Sequence, residues 1–131
     1  MKEHAIRLTK GQDLKEEIIK YSKKQQIKAG IIVCCVGSVS EINIRLAGAK
    51  SILNKKEQYE VVSITGTICL DDVHIHISFS DKKGNFIGGH LKNGCIIDTT
   101  AEIVVLELSQ YTFSRVFDEN TGYNELFINS N

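Results

Sequence analysis

The octet from Val73 to Ser80 alternates without a break, with Val73, Ile75, Ile77 and Phe79 on one parity and His74, His76, Ser78 and Ser80 on the other. Only an extended strand, whose successive side chains leave by opposite faces, turns that order into one apolar and one polar surface. A helix would mix the two sets around its axis. The same period runs through the preceding segment, where Val62, Ile64, Ile68 and Leu70 oppose Ser63, Thr65 and Thr67, with Gly66 on the apolar side. Asp71-Asp72 makes a tight turn between these strands. Asp81-Lys82-Lys83-Gly84-Asn85 reads as a hairpin loop, so the chain returns through Phe86 to Leu91 beside the histidine strand.

The remaining segments extend this sheet. β-Branched residues dominate Ile31 to Val36 and Val39 to Leu46, with Gly37-Ser38 dividing the two runs. His4 to Leu8, Cys95 to Asp98, Glu102 to Leu108, Tyr111 to Phe117 and Leu126 to Ile128 supply further strands, and Ala47 to Gln58 reads as a polar, flexible loop. One segment has helical spacing. Leu14, Ile18, Tyr21 and Gln25 recur behind Asp13 and Glu16, which form a capping-box pattern, and the helix is expected to run through Lys28 until Ala29-Gly30 stops it. The expected fold class is α+β, mainly antiparallel sheet with one main N-terminal helix. With 131 residues, the chain has the size of one domain, spanning 1–131 with the residues after about 118 as a C-terminal extension. It contains no proline, so its edge strands lack one common guard against pairing with other chains, and subunit contact would cover them.

Charge narrows the partners. Lys plus Arg and Asp plus Glu balance at 16 each, which leaves no overall field to draw in a phosphate backbone. The basic runs at Lys10 to Lys28 and Lys50 to Lys56 are diluted by Glu16, Glu17 and Glu57 and read as solvated faces. No apolar run reaches the roughly 18 to 20 residues that span a bilayer, and the first residues do not form a secretory signal, so the expected location is cytoplasmic, without a membrane. Cys34, Cys35, Cys69 and Cys95 lie in apolar stretches and are expected to be buried, reduced thiols.

The histidines carry the chemistry. His-x-His on a strand sets His74 and His76 side by side, close enough for one metal ion to bridge, and His90 on the return strand is the natural third ligand. Three neutral imidazoles suit Zn²⁺ or another divalent transition metal and leave a coordination position open to water or a small-molecule ligand. Asp81, Asp98 and Glu102 are the acid or base candidates. The bland alternative is a solvent-facing polar surface on which no ion sits. His4 is expected at the surface. Arg45, sharing a strand face with Asn43, is open to an ion pair with Glu60 or Glu102, or to a small anion beside the metal. Ser38, behind Gly37, is a candidate anion contact or simply part of a turn.

Several segments taken together resemble a known family. They are Gly37-Ser38-Val39-Ser40 with Arg45, Ser63 to Ile68, His74 to Asp81, Gly88-Gly89-His90-Leu91, and Gly94-Cys95 followed by Thr99-Thr100-Ala101-Glu102. In order and spacing they are similar to the plants-and-prokaryotes-conserved (PPC) domain, from the first strand to about Phe117. The resemblance implies the α+β fold with a largely antiparallel sheet, one main helix and a homotrimer. Plant members pair this domain with an AT-hook for DNA binding and use it for assembly and partner recruitment. Here the three arginines, Arg7, Arg45 and Arg115, lie in no such segment, so a DNA-binding or transcription-regulatory module is the alternative function.

Overall fold

Asp13 begins the one helix as its spacing predicts. In the computed structural model, which describes residues 1–131, its Oδ1 accepts from the Glu16 amide at 3.0 Å and its Oδ2 accepts from the Gly94 amide at 2.6 Å, tying the helix to the main sheet. Only half of the capping box forms, because Glu16 pairs with Lys20 at 3.3 Å. Helix α1 spans Leu14–Lys24, four residues shorter than expected from the spacing. Its end is a Schellman motif without glycine: Gln26 takes φ 55°, its amide donates to Lys23 O, and the Ile27 amide reaches back to Ser22 O. A glutamine in the left-handed position hid this stop.

The strands are β1 (Lys2–Thr9), β2 (Gly30–Arg45), β3 (Ile52–Lys55), β4 (Tyr59–Ile68), β5 (Val73–Ser80), β6 (Phe86–Leu91), β7 (Ile96–Glu107), β8 (Tyr111–Asp118) and β9 (Tyr123–Ser130). All pairings are antiparallel, and the main sheet runs β1-β7-β2-β4-β5-β6. β6 also returns to β2, through Ile44 opposite Leu91 and Arg45 opposite His90, so β2, β4, β5 and β6 close a small barrel. Its inside holds Val39, Ile42, Ile44, Ile75, Ile77, Phe79 and Leu91, packed in one cluster with Leu14 and Ile18 of α1. Fully burying each large aliphatic side chain contributes roughly 1.5–3 kcal/mol, and this cluster is the main source of stability.

Several boundaries differ from the expectation for one reason, which is cross-strand pairing. Gly37-Ser38 does not divide two strands, because β2 runs on through register shifts on either side of Gly37. A Cβ at Gly37 would lie 2.1 Å from Thr100 O, so glycine there lets β7 approach. The two runs read from Cys95 to Asp98 and from Glu102 to Leu108 likewise merge into one strand, β7 (Ile96–Glu107), and the supposed flexible loop contains β3, paired to β2 from Ile42 to Arg45. A bulge between Val61 and Ser63 turns Val62 outward, 44% exposed. His4 is not at the surface. It is 5% exposed, with Nδ1 3.0 Å from Tyr21 Oη and Nε2 2.9 Å from Glu107 Oε2, pinning β1, α1 and β7 together.

The four thiols are free, with Cys34 half-buried and the other three buried. Burial holds the Cys35 thiol up at about 12 and Cys95 at about 11, well away from thiolate chemistry. Residues after 118 form the turn and second strand of the β8–β9 hairpin, anchored by Phe113 in a small cluster with Ala29 and Cys69. No helix is long and apolar enough to cross a membrane.

Candidate metal centre

Directly opposed residues on antiparallel strands share a face, so register alone assembles the outer surface of the barrel. Thr65 lies opposite His76, His76 opposite His90, and His90 opposite Arg45, which places Thr65, His76, His90 and Arg45 in one row across four strands. His74, opposite Thr67, stands beside that row. The row exists because β6 fits between β5 and β2. A Cβ at Gly89 would lie 2.5 Å from Arg45 O, so the approach that brings His90 to Arg45 depends on glycine.

The three imidazoles converge. Ring centroids lie 5.0 Å apart for His74 and His76, 5.2 Å for His74 and His90, and 5.7 Å for His76 and His90. One ligand nitrogen from each falls within 4.8 Å of the others. Bonds of about 2.0–2.1 Å to a tetrahedral Zn²⁺ set nitrogens about 3.4 Å apart, so the rings would close inward around a bound ion. His90 Nδ1 is also buried with no hydrogen-bond partner, a costly state for a neutral imidazole in a hydrogen-bonded surface and an ordinary one for a metal ligand. The residues present therefore fit a divalent ion.

Electrostatics favour the neutral form of His90 and His74, as ligation requires. Burial, then the Arg45 charge, pushes the His90 pKa down to about 4. Burial and the Arg115 guanidinium lower that of His74, against a weaker opposing pull from Glu125. Arg115 and Glu125 belong to the β8–β9 hairpin, which no motif places beside the histidines. Arg115 Nη2 donates to Thr67 Oγ1 at 3.1 Å, and the Tyr123 ring lies 5.9 Å from the Arg45 guanidinium carbon. The hairpin thus meets the outer face at both ends of the histidine group.

The other candidates lie elsewhere. Arg45 forms no pair with Glu60 or Glu102: Glu60 sits opposite Ser38 and Ser80, and Glu102 opposite Arg7 and Val36. Ser38 Oγ accepts from the Thr99 amide at 3.4 Å and lines a separate depression with Asp81 and Asp98. None of these acids is brought to the histidines. Glu125, the carboxylate that acts on His74, lacks any motif that would have marked it.

Known proteins resemble this chain in sequence and fold. The chain is 42% identical over 125 residues to the bifunctional protein GlmU of Synechococcus sp. (strain JA-3-3Ab), a match covering 95% of this chain and 20% of that protein. It spans about a fifth of the length of the curated relatives it matches. Among solved structures, a hypothetical protein from Salmonella enterica superposes with a TM-score of 0.94 at 36% identity, covering 98% of this chain and 94% of that one. A metal-containing protein from Archaeoglobus fulgidus gives a TM-score of 0.79 at 30% identity, covering 97% and 94%. The Plants and Prokaryotes Conserved (PCC) domain matches residues 1–109, which include every strand of the barrel and all three converging histidines. By that match and the shared fold, the chain belongs to the Plants and Prokaryotes Conserved domain family.

Proposed function

We propose that this protein is a cytoplasmic homotrimer whose His74, His76 and His90 hold one divalent transition ion, zinc by softness and availability, with a coordination position left for a small molecule. The observation that carries this reading is the convergence of one ligand nitrogen from each of three histidines within 4.8 Å, together with a buried, unpartnered His90 Nδ1. A relative at 30% identity described as metal-containing supports it. An ion held there supplies Lewis acidity at its open position. Exposed Val33, Val36 and Val62 on β2 and β4 support a subunit contact, since an oligomer would cover them.

Elemental analysis of untagged protein purified without added metal tests the site. One metal per chain is expected, falling to near none in His74→Ala, His76→Ala and His90→Ala, at a solution mass three times 14.6 kDa. A wild-type protein that neither carries nor takes up metal sinks the proposal. The DNA-contacting alternative has its own signature in salt-sensitive duplex binding, and the balance of 16 basic and 16 acidic residues leads us to expect none.

A further inference from the structure

The row across the barrel ends in a charge without a partner. Arg45 contacts the Tyr123 ring but no carboxylate, although a guanidinium is permanently charged and ordinarily paired when it lines a cavity. It borders a depression of about 460 Å³ on the outer face, within the usual range for small-molecule sites. The side chains offering polar atoms to that space are Arg45, Ser63, Thr65, His76, Ser78 and His90, and no acid is among its lining residues. Ser63 Oγ and Ser78 Oγ lie 2.8 Å apart, so one hydroxyl hydrogen is spent between them and the other remains free to donate outward.

The charges that act on His90 have one sign. The groups that act most on His90 are Arg45, His74, Lys15 and His76, all cationic or potentially so. Glu125 acts at the His74 end. Adding a divalent ion to three neutral imidazoles next to a free guanidinium creates a strongly positive, donor-rich hollow. Such a hollow is completed by an anion, and a planar guanidinium fork matches the paired oxygens of a carboxylate or phosphate.

We propose that the histidine centre takes a small ligand through an oxyanion, carboxylate or phosphate, clamped by Arg45 on the Ser63, Thr65 and Ser78 side of the ion. This rests on the metal reading above. The Tyr123 ring packs against the guanidinium, and Glu125 repels the anion from the His74 end, so the ligand binds in one orientation. Arg45 is a binding residue here and takes no proton.

The test uses the full chain loaded with Co²⁺, whose visible spectrum reports its coordination. Inorganic phosphate, acetate and pyruvate are titrated separately, with acetamide as the uncharged control. The expected result is a saturable spectral change with phosphate or with the carboxylates, the two arms separating the ligand types, and none with acetamide. Arg45→Gln should keep one Co²⁺ per chain and lose about 10- to 100-fold in anion affinity, as removal of a charge-assisted hydrogen-bonding pair does. Arg45→Lys, which keeps the charge without the fork, should fall between. Far-ultraviolet circular dichroism and mass establish that the variants fold. A cobalt-loaded wild type blind to all three anions, or an Arg45→Gln protein that binds them as tightly as wild type, overturns the inference and leaves the metal reading intact. Failure to load Co²⁺ overturns both.

Discussion

The two faces of β5 share one backbone and one register yet are governed by different physics. Inward, Val73, Ile75, Ile77 and Phe79 are buried, and their neighbours are chosen by packing. Outward, His74 and His76 are exposed, and their neighbours are whatever the inner face brings alongside. The inner face holds the barrel closed, and the outer face inherits a row of chemistry from that closure. Site and core are therefore separable by mutation although they alternate residue by residue.

The largest effect on folding belongs to the inner face. Phe79 is fully buried, with its ring 6.0 Å from Tyr59, and Phe79→Ala should cost about 3–5 kcal/mol in urea unfolding. A loss under about 1 kcal/mol would mean that the barrel interior is not the core. Next comes Gly89→Ala, where the new Cβ meets Arg45 O at 2.5 Å and backbone must move. A cost of about 1–3 kcal/mol is expected in thermal or chemical unfolding, together with weaker anion binding, since His90 and Arg45 are forced apart.

Acid probes the boundary between the faces. The His90 pKa is held at about 4, below the ordinary 6.5, and that of His74 is also lowered. The unfolded chain then binds more protons than the folded one between these values. Metal-free protein should lose stability as pH falls from about 6.5 towards 4, and His90→Asn should flatten that slope. An unchanged slope in the variant would place the buried imidazole elsewhere.

Smaller effects belong to the outer surface. Tyr123→Ala removes the ring facing Arg45 and should cost about 0.5–1 kcal/mol, seen as faster hydrogen exchange in β8 and β9 with β5 unaffected. Smallest of all for folding is His76→Ala, whose exposed side chain should leave stability within about 0.5 kcal/mol while metal content falls from one per chain to near zero. If that variant unfolds instead, the two faces are not separable.

Much of this was legible in the residues. The alternation from Val73 to Ser80 determined a strand with His74 and His76 on one face, the turn signal at Asp81 to Asn85 returned His90 alongside, and Asp13 marked the start of α1. These are local properties, set by the geometry of neighbouring peptide units, and a single chain displays them directly. The end of α1 escaped because a left-handed glutamine does the work usually signalled by glycine. His4 looked peripheral by position, and only pairing with β7 and packing of α1 bury it.

Arg45 joined the histidines for a different reason. It is 29 residues before the first of them, and only the return of β6 to β2 closes that distance. The hairpin carrying Arg115, Tyr123 and Glu125 lies beyond the matched 1–109 and reaches the site through two side-chain contacts. Which strand faces the local pattern builds is decided by the sequence within a few residues. Which faces meet is decided by closure of the barrel, where the register of every strand must agree at once and no short stretch of sequence records the outcome.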